Sequence, residues 1–336
     1  MAGAQGDPFP DPPHKGEGDG HPQQGDALTR PFRFALSTHR PRPKADWMAF
    51  ARRVESMGFG SLKISDHFGA RPAIAPALVL AAAATSQLRV GSFVYDNDFR
   101  HPAVLAQEVA TIDLLTDGRF DFGIGAGWLK SEYDAAGLSF DSGATRVDRL
   151  TESVQLVKQL LTGEPVTFSG RHYRVNQLTA GFTTVQRPHP RLTIGGGGRR
   201  LLTLAAREAD EVSLMPRSRP DGSGLDSSDA TEAAFATKLS WVKQAAGDRF
   251  PSLDLNTLVQ TVIITDDPDA AARTLSAEWK EPVEQLVVSP LVLIGSVEAI
   301  AATLQRRREQ LGISSITVFE KDLDSFARVI ARISAG

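Results

Sequence analysis

Two adjacent residues with acid–base chemistry, Asp66 and His67, follow a short apolar segment with the composition of a buried strand. A carboxylate beside an imidazole at a strand end can orient a proton donor or bind the polar edge of a ring. The same pair is compatible with a helix-capping aspartate next to an ordinary surface histidine. The two residues therefore mark a candidate proton-transfer site.

A run of four glycines, from Gly195 to Gly198, follows another predicted strand and leads into Arg199, Arg200 and an apolar helical segment. Glycines at a strand-to-helix turn let backbone N–H groups approach an anion, and the start of a helix adds a positive dipole. The two arginines can add charge-assisted contacts. The pattern favours a phosphate site over a merely flexible loop, and we expect a side chain at Gly197 to obstruct the anion.

Small residues also precede Trp128, in the segment Gly123-Ile124-Gly125-Ala126-Gly127. They would let a flat ring approach the end of a strand, with the indole as one wall of the pocket. Glycine used for close strand–helix packing, with Trp128 in the core, accounts for the segment equally well. The sequence leaves both interpretations open.

The elements that would hold these groups alternate between short β-type runs and amphipathic helical stretches from Phe32 onward, which is typical of a parallel sheet. Eight strands are predicted, at residues 33–37, 62–65, 88–94, 119–124, 191–194, 211–214, 255–265 and 314–319. A helical stretch follows each strand, so the pattern predicts a (β/α)8 TIM barrel with its site at the strand ends. An open doubly wound sheet would require GxGxxG after the first strand, where this chain has Ser37-Thr38-His39-Arg40-Pro41.

A long insertion between Gly125 and Pro190 interrupts the alternation after strand four. It is predicted to contain a helix with an apolar stripe from Val147 to Leu161, followed by a hairpin with strands at residues 166–168 and 172–175. The polar loop of residues 217–229, after strand six, is a candidate mobile lid.

Composition limits the possible functions of this 336-residue chain. The formal net charge of −3 argues against a nucleic-acid partner, and no apolar run is long enough to span a membrane. The absence of cysteine excludes thiolate metal sites and a cysteine nucleophile, and no metal site is predicted. Residues 1–30 are rich in Gly, Pro and Asp and lack a secretory apolar segment. We therefore predict a disordered tail, one domain over residues 31–336 and a cytoplasmic location.

Several segments together resemble the bacterial luciferase-like superfamily, in particular its branch of oxidoreductases that use the deazaflavin coenzyme F420. The resemblance rests on Ser65-Asp66-His67-Phe68, Arg100-His101-Pro102, Asp117-Gly118-Arg119-Phe120, Phe168-Ser169-Gly170-Arg171-His172-Tyr173 and the two glycine-rich segments. It extends from Phe32 to Ile333. It implies a barrel with an insertion after strand four, a cis peptide bond between Phe93 and Val94, and a homodimer.

The same resemblance implies the residues of the cofactor site. Asp66 and Asp96 would contact the deazaflavin edge or its chain, and the bulge that contains Phe93 and Val94 would support the ring. His67 matches the histidine that is placed over the reacting ring. The ring pocket and the phosphate site would be lined by Ala126, Gly127, Ser131, Gly196, Gly197, Gly198 and Arg199.

One position departs from the sugar-phosphate dehydrogenases of this family, which carry a glutamate where this chain has Trp128. We therefore expect a flat or apolar small-molecule substrate rather than glucose 6-phosphate, with His67 and His39 as candidate proton donors. The leading hypothesis is hydride transfer between reduced coenzyme F420 and a C=C, C=N or C=O bond. The alternatives are an FMN-dependent monooxygenase of the same fold and a cofactor-binding protein without catalytic activity.

Overall fold

Eight parallel strands close into a barrel in the computed structural model, which describes residues 30–335. The strands, numbered along the chain, are β1 (Arg33–Thr38), β2 (Ser61–Ile64), β3 (Arg89–Ser92), β4 (Tyr95–Asp96), β5 (Phe120–Gly125), β6 (Val166–Ser169), β7 (Arg174–Leu178), β8 (Arg191–Gly196), β9 (Glu211–Leu214), β10 (Asp254–Val259), β11 (Thr261–Ile264), β12 (Val292–Gly295) and β13 (Ile313–Phe319). The barrel order is β1-β2-β3-β5-β8-β9-β10-β13, and β13 pairs again with β1. The pairing of Val90 with Phe120 joins β3 to β5 and completes the ring.

Helices surround the barrel, as the alternating sequence pattern predicts. They are α1 (Lys44–Ser56), α2 (Ile74–Ala83), α3 (Pro102–Leu115), α4 (Lys130–Ala136), α5 (Gly143–Leu160), α6 (Arg199–Glu208), α7 (Glu232–Ala246), α8 (Pro268–Trp279), α9 (Val283–Val287), α10 (Val297–Leu311) and α11 (Leu323–Ser334). Helix α1, for example, buries Trp47, Phe50 and Val54 on one face. The predicted (β/α)8 class is confirmed.

The insertion after the fourth barrel strand lies between β5 and β8 and contains α4, α5 and the antiparallel hairpin β6–β7. The hairpin turn is held by Glu152, whose carboxylate accepts hydrogen bonds from the N–H groups of Arg171, His172 and Tyr173 at 2.8–3.1 Å. A Cβ at Gly170 would collide with this carboxylate. The turn glycine is therefore explained by a contact with α5.

Two predicted strands have different limits in the structure. The segment 88–94 ends at Ser92 as β3, passes through a cis peptide bond between Phe93 and Val94, and resumes as β4, so the expected cis bond is confirmed. The segment 255–265 divides into β10 in the barrel and β11, which pairs with β12 in a separate two-stranded sheet. This β-type run contains no Gly or Pro that would mark the division, and the sequence pattern does not predict β12.

Charged side chains occupy part of the barrel interior and the end where the strands begin. Lys63 Nζ lies 3.2 Å from Glu211 Oε1, and the two side chains are only 5% and 4% exposed. Burial alone would raise the pKa of Glu211, but Lys63 and Arg191 lower it to about 2. Arg30 and Arg191 both pair with Asp254. These charges are paired, as burial requires.

The predicted disordered tail, residues 1–30, lies outside the described residues except for Arg30. Among residues 30–335, every helix is too short or too polar to cross a lipid bilayer. The same part of the chain brings together no group of three or more His, Asp or Glu side chains that could hold a metal ion.

Candidate active site

A histidine–glutamate pair lies at the end of the barrel where the strands finish. His67 follows β2, and its Nδ1 lies 2.8 Å from Oε2 of Glu132, which belongs to α4. The two side chains are 18% and 15% exposed, so the contact is largely shielded from solvent. The Trp128 ring meets the imidazole edge to face, with 6.0 Å between the ring centroids. The imidazole is thus held by a carboxylate and an indole.

Asp66 is tied to the segment that follows the cis peptide bond. Its carboxylate accepts two hydrogen bonds from the Arg100 guanidinium, at 2.7 and 3.1 Å, and one from the N–H of Asp96 at 3.1 Å. The guanidinium also lies over the Tyr95 ring, 4.6 Å from its centroid. Asp66 therefore fixes neighbouring parts of this chain, and its contact with a cofactor stays a prediction.

Asp96 is the centre of a buried hydrogen-bond network. Its carboxylate accepts hydrogen bonds from the Tyr133 hydroxyl at 2.8 and 2.9 Å and from the N–H of Asp98 at 2.9 Å. Burial raises the pKa of Asp96 to about 7, because these hydrogen bonds only partly offset the loss of hydration. Asp98 in turn faces Arg149, whose Nε lies 2.8 Å from Oδ1. Asp96 is therefore fixed in place and titrates near neutral pH.

The segment around the cis peptide bond packs closely on β5. A Cβ at Gly125 would lie 2.8 Å from Val94 Cγ2, and a Cβ at Gly123 would lie 2.9 Å from Val94 Cγ1. Phe93 is buried, with the Lys63 ammonium 4.7 Å from its ring centroid. Contact with this bulge explains Gly123 and Gly125, which the sequence left open between ring approach and packing.

Gly127 is also required by the chain's own packing. It has a φ of +74°, and an added Cβ would lie 2.6 Å from Asp96 Oδ2 and closer still to the Tyr133 hydroxyl. Trp128 is half-buried beside His67 rather than in the core. The glycine thus serves the network around Asp96, while the indole forms a wall of the site.

Two further residues predicted to line the ring pocket lie in different surroundings. Ala126 is buried, and its carbonyl oxygen accepts a hydrogen bond from Arg146 Nε at 3.1 Å. Ser131 is exposed in the first turn of α4. Both stay predictions as cofactor contacts.

The glycine run ends β8 and opens α6 without a capping side chain. Gly198 is the N-cap of α6, with a φ of −84°, and a Cβ added to it would meet nothing within 4 Å. A Cβ at Gly197 would instead lie 2.5 Å from both Arg217 N and Met215 O, although Gly197 has no positive φ. Backbone of the next loop therefore fills the space beside Gly197 and by itself requires a glycine there, and the open space lies at Gly198. That a side chain at Gly197 would obstruct an anion stays a prediction.

The residues on either side of this opening form a candidate cradle for an anion. The Gly196 carbonyl accepts a hydrogen bond from the N–H of Met215 at 3.1 Å, which fixes the end of β8. Arg199 and Arg200 are exposed; Arg199 Nη2 lies 3.4 Å from Gln244 Oε1, and Arg200 pairs with Asp148. An uncapped helix start with open space and an exposed guanidinium fits a phosphate group.

His39 follows β1 and is exposed at the same end of the barrel. Its ring meets Phe319 edge to face, with 6.4 Å between centroids. Partial burial and then the Arg71 guanidinium lower its pKa, and His67 is among the weaker contributors. His39 and His67 both follow strands that end on this side of the barrel, and the hydrogen bond to a carboxylate is made by His67.

The loop of residues 217–229, between β9 and α7, contacts both the glycine run and α4. Arg217 packs on Gly197 at one end, and the carbonyl of Gly222 accepts a hydrogen bond from the N–H of Lys130 at 3.2 Å. At the other end Asp229 pairs with the buried Lys238 at 2.6 Å. The loop is thus anchored at three points, and its opening as a lid stays a prediction.

Glu132, Tyr133 and Arg149 were not predicted from the sequence. Helix α4 has seven residues, which is too short for an apolar stripe to be recognised. The available signal is position: Glu132 and Tyr133 lie in the connection after β5, and such connections form the site in a barrel of this class.

Comparisons with known proteins agree with this architecture. Residues 27–286 match the family model described as luciferase-like monooxygenase. The F420-dependent glucose-6-phosphate dehydrogenase of Kineococcus radiotolerans is 34% identical over 194 residues, which cover 55% of this chain and 56% of that protein. The FMNH2-dependent dimethylsulfone monooxygenase of Pseudomonas putida is 34% identical over 128 residues, which cover 38% and 35%. The chain thus spans about half or less of the length of these two relatives.

The fold itself is shared with a solved structure. The coenzyme F420 dependent tetrahydromethanopterin reductase of Methanopyrus kandleri has a TM-score of 0.72 to this chain at 16% identity. The similarity covers 91% of this chain and 99% of the reductase.

Proposed function

The chain belongs to the luciferase-like monooxygenase family, and from this premise we propose that it is a coenzyme F420-dependent oxidoreductase. The proposed reaction is hydride transfer between the reduced deazaflavin and a C=C, C=N or C=O bond of a small organic substrate. The observation that carries the proposal is His67, held between Glu132 and Trp128 at the barrel end that also holds the uncapped start of α6. The Kineococcus relative, named as F420-dependent, supports the choice of cofactor.

The chain's residues would hold the cofactor at two places. Backbone N–H groups at the start of α6 and the Arg199 guanidinium would bind its phosphate, in the open space beside Gly198. The bulge of Phe93 and Val94, fixed against β5, would support the ring. When bound, coenzyme F420 supplies or accepts a hydride, which is a transfer of two electrons.

His67 would move the proton that accompanies the hydride. In the direction of reduction, the protonated imidazolium donates a proton to the oxygen, nitrogen or carbon atom next to the reduced carbon and becomes neutral imidazole. In the direction of oxidation, it accepts that proton. Such acid–base assistance contributes about 10²- to 10⁴-fold to rates. His39 is the second candidate, since it follows β1 at the same end of the barrel.

Trp128 bears on the substrate class. The half-buried indole beside His67 offers a flat apolar surface and one N–H donor. A flat or apolar substrate would stack there, whereas a sugar phosphate would find few hydrogen-bond partners on this wall. We therefore propose that the substrate differs from the one in the name of the Kineococcus relative.

The second candidate function is an FMN-dependent monooxygenase, which the similarity to the Pseudomonas protein favours. It would use the same phosphate cradle, because FMN also carries a phosphate group. The third is a cofactor-binding protein without turnover. Cofactor affinity and the response to oxygen separate the three.

The test is titration of the purified protein with coenzyme F420 and with FMN in parallel. We expect at least tenfold tighter binding of coenzyme F420, which corresponds to about 1.4 kcal/mol. Arg199→Ala should weaken binding, while Arg207→Ala, at the other end of α6, serves as the matched control. Equal or tighter FMN binding, with oxygen consumption by the reduced complex, would replace the proposal with the monooxygenase. Binding without any turnover would favour the third function.

We also propose a homodimer that forms through α2 and α3. Val104 and Leu115 are 57% and 58% exposed and lie beside Val79 and Leu80 in one apolar groove. Burial of this groove against a second copy would remove it from water. A stable monomer in sedimentation at micromolar concentration would contradict the dimer, and Val104→Asp should dissociate it. The cytoplasmic location stays a prediction.

A further inference from the structure

We propose that Glu132 is a positioning residue that holds the His67 imidazole with its proton on Nδ1. In the direction of oxidation, Nε2 is then the nitrogen that accepts the substrate's proton. In the direction of reduction, the imidazolium, protonated on both nitrogens, donates its Nε2 proton to the substrate while Nδ1–H stays bonded to Glu132. The inference rests on the proposed function for the direction of proton flow. It adds Glu132 as the residue that determines which ring nitrogen of His67 is free to exchange a proton with the substrate.

The side chains of His67 and Glu132 are in direct contact. His67 Nδ1 and Glu132 Oε2 are 2.8 Å apart, which is a hydrogen-bond distance. An ionised carboxylate can only accept, so the proton of this hydrogen bond belongs to Nδ1. With both side chains less than 20% exposed, water competes weakly for the contact. The Trp128 ring on another side of the imidazole further restricts its rotation.

The other carboxylate near His67, that of Asp66, is already engaged. Asp66 precedes His67 in the chain, and the sequence alone suggests that Asp66 orients the imidazole. In the structure the Asp66 oxygens bind the Arg100 guanidinium and the N–H of Asp96. The orienting group therefore comes from α4, 65 residues further along the chain.

Glu132 is itself held in place by the contacts of its helix. A seven-residue helix such as α4 is not stable alone, so its position depends on tertiary contacts. Tyr133 donates its hydroxyl hydrogen bond to Asp96, and the Lys130 N–H donates to the Gly222 carbonyl. The Lys130 ammonium turns to Asp134, 2.6 Å away on the exposed side. The Glu132 carboxylate is thus left for His67.

The test combines spectroscopy and kinetics on the full chain. The variants are Glu132→Ala, Glu132→Gln and the conservative Glu132→Asp, with Asp134→Asn as the control that removes an exposed carboxylate from the same helix. ¹⁵N-histidine NMR at alkaline pH reports which nitrogen carries the proton, and His67→Gln assigns the signal. We expect the Nδ1–H form of His67 in the parent and in Asp134→Asn. A substantial Nε2–H population should appear in Glu132→Ala.

With cofactor and a reducible substrate, Glu132→Ala and Glu132→Gln should lower kcat about 10- to 100-fold. KM and the cofactor Kd should stay within about twofold, and Glu132→Asp should restore part of the rate, because the carboxylate remains. An unchanged Nδ1–H signal in Glu132→Ala, or an unchanged kcat, would overturn the proposal. So would a loss of kcat that Asp134→Asn reproduces, or a parallel loss of cofactor binding and melting temperature. The NMR measurement needs neither cofactor nor substrate, so a failure of the proposed function is distinguished from a failure of this inference.

Discussion

The last two glycines of the glycine run, Gly197 and Gly198, should respond differently to the same substitution. In Gly197→Ala, the new methyl group would lie 2.5 Å from Arg217 N and Met215 O. Both contacts are with backbone atoms, which cannot rotate away, so the loop after β9 has to move by roughly 1 Å. Overpacking of this kind costs about 1–3 kcal/mol. We expect Gly197→Ala to lower the free energy of unfolding by about that amount.

In Gly198→Ala, the same methyl group would enter open space at an unstrained φ of −84°. Alanine is a poorer N-cap than glycine, which lowers stability. Alanine also reduces the conformational entropy of the unfolded chain, which raises stability by about 0.4–1 kcal/mol, so the two effects nearly cancel. Stability should therefore change by less than about 0.5 kcal/mol. Cofactor affinity should fall at least tenfold, because the methyl group occupies the proposed phosphate position.

Urea unfolding measures the stability of both variants, and titration with coenzyme F420 measures their affinity. The informative result is that the two effects separate: Gly197→Ala loses stability, and Gly198→Ala loses affinity for coenzyme F420. If Gly197→Ala is as stable as the parent, the close approach of residues 215–217 is not what requires this glycine. If Gly198→Ala is stable and binds coenzyme F420 like the parent, the phosphate is held elsewhere.

Two further predictions concern residues away from the glycine run. The pKa of Asp96 rises on folding from its ordinary 3.8 to about 7, so unfolding releases a proton between these pH values and this contribution to stability falls as pH rises. Asp96→Asn removes that slope. Relative to the parent, the free energy of unfolding of this variant should therefore rise by up to about 4 kcal/mol between pH 4 and pH 8, as measured by urea unfolding. A difference that is constant with pH would contradict this. Arg119→Met should cost about 2–4 kcal/mol, since Arg119 donates hydrogen bonds to the carbonyls of Ala82, Thr85, Leu88 and Thr116. Its cofactor Kd should stay unchanged, and a large change would place Arg119 in the binding site.

The barrel and its insertion could be predicted because they depend on local patterns. Alternating β-type and helical runs identify the parallel strands, and the loss of that rhythm after Gly125 marks the insertion. The cis bond at Phe93 came from the family resemblance rather than from these patterns, and the structure confirms it. The division of residues 255–265 leaves no local mark, because β11 and β10 have similar compositions.

The site was harder to predict because its contacts join distant segments. Glu132 contacts His67 although 65 positions separate them in the chain, and the sequence around either residue contains no pattern that predicts the contact. Asp66 stands next to His67 in the chain but bonds to Arg100, so sequence proximity pointed to the wrong partner. Gly197 could be singled out as a position that must be small. The reason could not, because it depends on where the backbone of another loop passes.

The buried ion pair between Lys63 and Glu211 constrains how this barrel can diversify. Loss of Glu211 leaves the Lys63 ammonium buried without its carboxylate, which costs about 3–5 kcal/mol, whereas joint replacement by well-packed apolar residues is often neutral. Loss of Lys63 is milder, because Glu211 keeps Arg191 as a cationic partner. A lineage that changes Glu211 first must therefore pass through a poorly folded intermediate, although both ends of the path are viable. Lys63 also lies against Phe93. Lys63 and Glu211 are thus expected to change together in evolution. New activities on this barrel are more accessible through changes in the outer loops than through changes in the interior residues next to Phe93 and Val94.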